Sequence, residues 1–304
     1  MNFVFSINQG FLPHFSVTLI SLLETHPQDQ LTCYILHDGI VESSQEELLT
    51  LVNGKSVTLN FVKLDPQKFS ELPVNFHLSR VCYYRLMIPN LIPEEKVIYL
   101  DSDIIIRKSL RPLWEMDLSG NLLGAVQEFS TNWNPDLEVD SNYGYFNTGI
   151  MLMNLLAWRE EGFHTKVFQF IEENPKLIRF TDQCGINHCG KGRIVRLSPR
   201  FNFQAMYYEE GFILPKSTSK KELEEAQKEV AIIHFTGSKK PWHWGCKHPD
   251  RKLYWKFLAK TPYKRRFPEN FSLVNLMREI APKSILESSY GLKNKVKRKF
   301  RNTL

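Results

Sequence analysis

The sequence of 304 residues lacks several features that would assign it to a class at once. No apolar run reaches the length of about 18 residues that a membrane-spanning helix needs. The first residues show no basic segment followed by an apolar core, so we expect no secretory signal. Neither GxGxxG nor GxxxxGK[ST] occurs, which excludes the two common glycine-rich loops that bind phosphate groups.

Cysteine is scarce as well. The five cysteines are odd in number, and none belongs to a CxxC pair. This usage predicts reduced thiols in a cytoplasmic protein rather than a secreted one stabilised by disulfides. The overall balance, with 42% hydrophobic and 24% charged residues, is that of one large or two small globular domains.

Strand and helix patterns alternate over the first 240 residues. Apolar, β-rich segments predict strands at 2–7, 32–38, 58–64, 96–103, 122–128, 149–154 and 230–236. Helical patterns fill several of the gaps, at 14–25, 43–53, 79–87 and 155–173. The alternation predicts an α/β fold with a doubly wound sheet, in which ligands bind at the carboxyl ends of the strands.

Two aspartates interrupt the apolar run VIYLDSDIII. Two neighbouring carboxylates in such a place need a positive partner, because each loses hydration and they repel one another. Arg107 is one candidate. A divalent metal is another, since Asp101 and Asp103 point to the same side of an extended chain while Ser102 faces away. Mg²⁺ and Mn²⁺ prefer such oxygen ligands. A capped turn also explains an isolated Asp-Ser-Asp, but turns rarely lie between two buried runs.

A second strand ending, AIIHFTGSKKPWHW, offers further residues for a metal site. An imidazole such as that of His234, added to carboxylates, favours Mn²⁺ over Ca²⁺. Gly237 permits close approach of the backbone to a ligand, and Lys239 and Lys240 can bind phosphate as point charges. A packed core histidine explains His234 taken alone. The combination within seven residues predicts a site for a metal and a diphosphate.

Four segments, VIYLDSDIII, YFNTGIMLMN, FTDQCGIN and HFTGSKKPW, resemble in that order the motifs of the family-8 retaining glycosyltransferases. RVCYYRLMIP and the opening MNFVFSI resemble that family too, so the similarity covers roughly residues 2 to 245. Bacterial lipopolysaccharide and lipooligosaccharide galactosyl- and glucosyltransferases belong to it. The resemblance implies a GT-A type domain over residues 1–245, with a mixed sheet flanked by helices, and a C-terminal region over 246–304. It implies transfer of galactose or glucose from a UDP-sugar with retention of the anomeric configuration. The metal would be Mn²⁺, with Mg²⁺ as the alternative.

The resemblance also implies roles for individual residues. The metal ligands would be Asp101, Asp103 and His234. The residues in contact with UDP would be Ile7, Asn8, Arg85, Ser102, Gly237 and Lys240. The sugar or acceptor pocket would be lined by His77, Asn147, Asp182 and Gln183, and the last two are the catalytic candidates. From the residues alone, helix capping is the preferred explanation of both Asn147 and Asp182.

Two positions depart from the family pattern, and the mechanism is open. Asn8 stands where the family commonly has an aspartate that contacts uracil, and Cys184 replaces the last carboxylate of DQD. Double displacement needs a nucleophile beneath the anomeric carbon; Gln183 is a poor one and Asp182 is the alternative. Front-face attack, in which the departing phosphate oxygen takes the proton of the acceptor, is the favoured possibility.

Basic charge is concentrated at the C-terminal end. Residues 283–304 hold seven lysines and arginines against one acid, so this tail alone carries the net charge of +6. A basic amphipathic helix on an anionic membrane is predicted by an apolar residue at every fourth position, namely Leu292, Val296, Phe300 and Leu304. A disordered tail and nucleic-acid binding are the alternatives. The resemblance favours a peripheral enzyme on the inner face of the cytoplasmic membrane, with an oligosaccharide or lipid-linked glycan as acceptor and no nucleic acid.

Two other functions stay open on the sequence. A metal-dependent nucleotidyltransferase also pairs aspartates around a metal, but it would release diphosphate and would lack HFTGSKKPW. An inactive basic α/β binding module would use the domain only as a scaffold. Stabilisation by Mn²⁺ together with UDP separates the enzyme from the scaffold, because a ligand that binds only the folded state stabilises that state.

Overall fold

The computed structural model describes residues 1–75, 78–128, 144–209 and 218–272, with the single residues 137, 139, 212, 214 and 276. His77 and the basic tail at 283–304 lie outside the described residues. The roles that the sequence predicts for them therefore stay predictions.

A seven-stranded mixed sheet forms the centre of the fold. Its strands are β1 (Asn2–Ile7), β2 (Leu31–His37), β3 (Val57–Lys63), β4 (Lys96–Leu100), β6 (Leu123–Gln127), β7 (Phe146–Asn154) and β8 (Ile194–Leu197). They lie in the order β3-β2-β1-β4-β7-β6-β8. β7 runs antiparallel to both of its neighbours, and the other pairs are parallel.

A second sheet of three short strands lies beside the first. Its strands are β5 (Ile104–Ile106), β9 (Phe203–Gln204) and β10 (Ile232–His234), in the order β5-β10-β9. One strand was predicted over 96–103, but the chain leaves the large sheet at Leu100 and enters the small one at Ile104. The Asp-Ser-Asp segment is therefore the connection between two buried runs, which is possible because each run belongs to a different sheet.

Helices cover both faces of the large sheet. The described α-helices are α1 (Leu12–Thr25), α2 (Glu42–Leu51), α3 (Ile88–Leu91), α4 (Arg111–Trp114), α5 (Leu155–Glu160), α6 (Phe163–Glu173), α7 (Thr181–Cys189), α8 (Lys220–Lys228) and α9 (Arg251–Leu258). The helix predicted over 155–173 is divided by Gly162, whose φ of 59° is left-handed. The segment predicted at 79–87 is a 3₁₀ helix, Arg80–Met87. Within the described ranges, no helix is both long and apolar enough to span a bilayer.

The central strands of the large sheet are buried on both faces. Phe3 and Phe5 of β1 belong to one hydrophobic cluster, and Val4 between them belongs to the other. β4 divides in the same way, with Ile98 in the first cluster and Tyr99 in the second. Continuous apolar strands with helices on both sides are the expected result of a doubly wound sheet.

The loop after β10 packs between α1 and α9. The His14 ring of α1 stacks on Trp242, with the ring centroids 3.5 Å apart. Nδ1 of His14 lies 2.7 Å from the hydroxyl oxygen of Tyr254 in α9. These contacts fix the loop that carries Lys240 against the rest of the domain.

His14 makes the stability of the fold depend on pH. Burial, aided by the charge of Arg266, lowers the pKa of His14 from 6.5 to about 3. As the pH falls through this range, the unfolded chain takes up a proton that the folded chain excludes, so stability decreases. One such group contributes up to about 1.4 kcal/mol per pH unit.

We expect His14→Phe to flatten the slope of unfolding free energy against pH by one proton, as measured by urea unfolding. An unchanged slope would show that folded His14 binds the proton freely.

Candidate functional site

Three possible metal ligands converge between the two sheets. Asp101 and Asp103 lie on the connection from β4 to β5, and His234 ends β10. One ligand atom of each lies within 4.8 Å of the other two. Nε2 of His234 is 3.8 Å from Oδ2 of Asp101 and 3.3 Å from Oδ1 of Asp103. The structure thus brings together the three residues that the sequence predicts as ligands.

The surroundings of this trio leave room for a cation. A Cβ atom on Gly149 of β7 would lie 2.4 Å from Cε1 of His234 and 2.7 Å from Oδ2 of Asp101. Any other residue at this position would displace the ligands. Two carboxylates and an imidazole form a donor set that suits Mn²⁺ or Mg²⁺. The residues present therefore fit a divalent metal.

Fixed positive charges accompany the two carboxylates. Nη2 of Arg85 lies 3.0 Å from Oδ1 of Asp101, and Nζ of Lys240 lies 2.5 Å from Oδ2 of Asp103. Burial alone would raise the pKa of Asp103, but Lys240 and His234 together hold that pKa well below its usual range. Asp103 is therefore ionised and able to act as a ligand.

Arg85 joins the metal-site acids to α7. Its side chain is buried, its Nη1 donates to the Thr148 carbonyl at 2.6 Å, and its Nε lies 3.4 Å from Oδ2 of Asp182. Burial alone would lower the pKa of Arg85, but Asp101 and Asp182 raise it well above its usual value. Burial raises the pKa of Asp182, although Arg85 and the Thr148 hydroxyl oppose that change.

A cavity of about 540 Å³ opens beside the trio. Most of the sequence-predicted site residues line it, namely Arg85, Asp101, Asp103, Asn147, Asp182, Gln183, His234, Gly237 and Lys240. Apolar side chains line it as well, among them Leu78, Phe180 and Met206. The cavity lining therefore combines a charged end, where the carboxylates and Lys240 lie together, with apolar side chains.

Three predicted nucleotide contacts lie outside this cavity. Ile7 is buried at the end of β1. Asn8 uses its Oδ1 to accept a hydrogen bond from the Phe11 backbone at 3.2 Å, which caps a 3₁₀ turn and leaves its amide N–H groups for a ligand. Ser102 is buried, and its hydroxyl has no hydrogen-bond partner among the described residues.

Cys184 lies beneath the cavity rather than in its wall. Its Sγ is 3.4 Å from the Tyr145 hydroxyl oxygen and accepts a hydrogen bond from the Phe180 backbone at 3.2 Å. Burial raises the pKa of this thiol. Cys184, where the resemblance implies a carboxylate, therefore belongs to the hydrophobic core and not to the lining of the cavity.

Glu128 lines the cavity and was missed by the sequence reasoning. Its Oε2 accepts a hydrogen bond from Nδ2 of Asn147 at 2.9 Å, and burial raises its pKa. The signal was present, because Glu128 ends the strand predicted over 122–128 and directly follows β6, as Asp101 follows β4.

Several known proteins are similar to this chain in sequence or in structure. The family model described as Glycosyl transferase family 8 matches residues 2–246. General stress protein A of Bacillus subtilis (strain 168) is 26% identical over 270 residues, covering 86% of this chain and 94% of the relative. Lipopolysaccharide 1,3-galactosyltransferase of Salmonella typhimurium is 24% identical over 275 residues, covering 86% of this chain and 79% of the relative.

A solved structure supports the fold directly. The galactosyltransferase LgtC, in complex with donor and acceptor sugar analogues, superposes with a TM-score of 0.78 at 27% identity. The match covers 88% of this chain and 98% of that chain. The predicted GT-A type α/β fold is thereby confirmed.

Gly149 offers a direct test of the cation site. We expect Mn²⁺ with UDP to raise the melting temperature of the wild type but not that of Gly149→Ala, because the added methyl group would displace His234 and Asp101. A ligand at a hundred times its Kd stabilises the folded state by about 2.7 kcal/mol. Gly124→Ala is the control: it lies on the neighbouring β6, and its Cβ would meet the Leu197 side chain at 3.0 Å. An unchanged response in Gly149→Ala would place the ion elsewhere.

Proposed function

This chain belongs to glycosyl transferase family 8, and on that premise we propose that it is a retaining hexosyltransferase. It would move galactose or glucose from a UDP-sugar to a surface glycan and form an α linkage. The convergence of Asp101, Asp103 and His234 at the charged end of one cavity carries this proposal. Family membership disfavours a nucleotidyltransferase, and an ordered cavity with this charge pattern is not needed by an inactive scaffold.

The charged end of the cavity fits a metal and a diphosphate. The trio would hold Mn²⁺ or Mg²⁺, which when bound neutralises the diphosphate and helps UDP to leave. Lys240 pairs with Asp103, and its flexible side chain can also reach a phosphate oxygen. Gly237 has a left-handed φ of 81° and an open space beside it, so its backbone is accessible to a ligand.

The hydrogen bonds of α7 favour front-face attack over double displacement. Oδ2 of Asp182 accepts from the Thr148 hydroxyl at 3.0 Å and faces Arg85, while Oδ1 accepts from Thr181 at 3.0 Å. Oε1 of Gln183 accepts from the Thr148 backbone at 3.1 Å. Each of these oxygens already accepts a hydrogen bond, which makes it a weaker nucleophile; Asp182 and Gln183 would instead orient the sugar.

In front-face attack, bond making and bond breaking occur on one face of the sugar. The bond from the anomeric carbon to the UDP oxygen breaks, and its electron pair leaves with the phosphate. The acceptor hydroxyl oxygen forms the new bond, and its proton passes to the departing phosphate oxygen. The described side chains would act by holding the two reactants in register, which is where much of the catalytic effect of such sites arises.

The names of the relatives support a glycan acceptor. Lipopolysaccharide 1,2-glucosyltransferase of Escherichia coli (strain K12) is 23% identical over 280 residues, covering 89% of this chain and 81% of the relative. The Salmonella typhimurium relative carries the name of a galactosyltransferase. Because the two names differ in the sugar, the proposal covers both hexoses and an oligosaccharide or lipid-linked acceptor. The apolar side chains that line the cavity, such as Phe180 and Met206, suit the face of a sugar ring.

We further propose that residues 1–245 form the transferase domain and that the C-terminal region, 246–304, meets the inner face of the cytoplasmic membrane. Described residues in front of the basic tail support this location. Phe267 is 85% exposed and Phe271 is 51% exposed, and they follow the basic residues 264–266. The Trp244 ring packs on Phe271 with the centroids 4.8 Å apart, so the segment adjoins the loop after β10.

The reaction class is tested by UDP release from a panel of UDP-sugars with Mn²⁺ or with EDTA. We expect slow, Mn²⁺-dependent hydrolysis of one donor. Asp103→Asn should lower it by about 100-fold or more, because a lost ligand removes several kcal/mol of charge stabilisation. The exposed Asp117, which accepts from the Ser119 backbone, provides the matched control Asp117→Asn. Absence of both release and Mn²⁺-dependent UDP binding would leave the family assignment with the fold alone.

Membrane association is tested by sedimentation with lipid vesicles. The wild type should bind vesicles that contain anionic lipid better than neutral ones, and salt should weaken the binding. Phe267→Ser should reduce the partition coefficient roughly tenfold, the value of one buried aromatic side chain. Val41→Ser, at a residue 53% exposed, is the control and should bind as the wild type does. Equal binding of the wild type to neutral and anionic vesicles would refute this location. Binding of Phe267→Ser at the wild-type level would refute it as well.

A further inference from the structure

A chain of hydrogen bonds runs from the cavity to the far side of the His234 ring. Nδ1 of His234 lies 2.9 Å from Oδ1 of Asn202, and Nδ2 of Asn202 donates to Oδ1 of Asn147 at 2.8 Å. The same Oδ1 accepts from the Gly149 backbone at 3.0 Å, and Nδ2 of Asn147 donates to Glu128. We call these side chains, Glu128, Asn147, Asn202 and His234, the amide relay. Asn202 has no exposed surface and lies outside every motif of the sequence.

A backbone N–H fixes the orientation of both amides. The N–H of Gly149 can only donate, so the Asn147 atom that it meets must be the carbonyl oxygen. The Asn202 atom that faces this oxygen must then be the NH₂ group. The remaining atom of Asn202, its carbonyl oxygen, must face His234. This order follows from the donor alone and does not depend on how amide oxygen and nitrogen atoms are assigned.

The orientation of Asn202 determines which nitrogen of the imidazole carries a hydrogen. A carbonyl oxygen can only accept, so Nδ1 of His234 must be the protonated nitrogen. In the neutral ring, the lone pair then lies on Nε2, the nitrogen that faces Asp101 and Asp103. This lone pair is what the imidazole offers to a metal.

We propose that Asn202, held by Asn147, is a positioning residue that sets the tautomer and ring orientation of His234 for the metal. The part that concerns the metal rests on the proposed function, whereas the tautomer is a property of the metal-free chain. Metal-bound histidines are commonly oriented in this way through the nitrogen that does not bind the metal. Asn147, which the resemblance assigns to the sugar, then serves the cavity and the metal ligand at once.

The tautomer is measured in the metal-free protein by NMR with ¹⁵N-labelled histidine. The signals of His234 are identified by their absence in His234→Gln. We expect a protonated Nδ1 and an unprotonated Nε2 at a pH where the ring is neutral. In Asn202→Leu, which offers Nδ1 no acceptor, the ring should populate both tautomers. An unprotonated Nδ1 in the wild type would overturn the proposal whether or not Asn202→Leu folds.

The consequence for the metal is measured by titrating Mn²⁺ in the presence of UDP and following the free ion by EPR. Asn202→Leu should weaken Mn²⁺ binding by about 10- to 100-fold, the usual effect of losing the partner of a ligating histidine. Asn202→Asp keeps an acceptor for Nδ1 and should lose less. If the two variants lose the same amount, the acceptor is not what matters and the proposal fails.

Asn154 provides the matched control at the opposite end of β7. Its Oδ1 accepts from the Ala157 backbone at 3.1 Å, and its Nδ2 donates to the Asn121 carbonyl at 3.1 Å. Asn154→Leu removes the same kinds of bond without touching His234, so it should keep wild-type affinity. Equal weakening in Asn154→Leu and Asn202→Leu would reduce the relay to general stability. If the wild type itself binds no Mn²⁺ with UDP, the proposed function fails, while the tautomer still decides the relay.

Discussion

Two carboxylates placed between two sheets are the constraint that the rest of the site satisfies. Asp103 and its partner Lys240 keep only 12% and 13% of their side-chain surface exposed, so hydration alone does not stabilise either charge. Arg85 precedes β4 in the chain, and Lys240 follows β10. Arg85 therefore neutralises the acid that follows β4 of the large sheet, and Lys240 neutralises the acid that precedes β5 of the small one. Removing one partner of such a buried pair commonly costs about 3–5 kcal/mol, since the other charge is left uncompensated.

How much of the fold could be predicted depended on whether an element is defined by its own residues or by its neighbours. The central strands of the large sheet are largely apolar runs because helices cover both faces, and such runs are visible in the sequence. β9 has two residues and β5 has three, and each exists as a strand only because β10 lies beside it. The break after Leu100 was missed for the same reason: apolarity marks a run as buried but does not say in which sheet.

The candidate site divides in a similar way. The trio was predictable because carboxylates and an imidazole at strand ends are unusual residue types in such places. Asn202 was not predictable, since a single asparagine carries no pattern and its partner Asn147 is 55 residues away in sequence. Asn147 itself was interpreted as a cap or a sugar contact, whereas its oxygen is engaged by Asn202 and by a backbone N–H. Residues that bind a ligand are marked by their chemistry, but residues that orient them are identified only by their hydrogen bonds.

Gly149 shows how closely the metal site depends on the register of the sheet. Its carbonyl accepts a hydrogen bond from the Asp101 backbone at 2.7 Å, one step beyond the pairing of Leu100 with Ile150. Its N–H orients Asn147, and the side chain it lacks would occupy the space between Asp101 and His234. All three contributions come from one residue of β7: its carbonyl, its N–H and its lack of a side chain. A shift of one residue in the pairing of β4 with β7 would move all three at once, because neighbouring residues of a strand face opposite sides. The register of the central sheet is thus a condition for the geometry of the site as well as for the packing of the core.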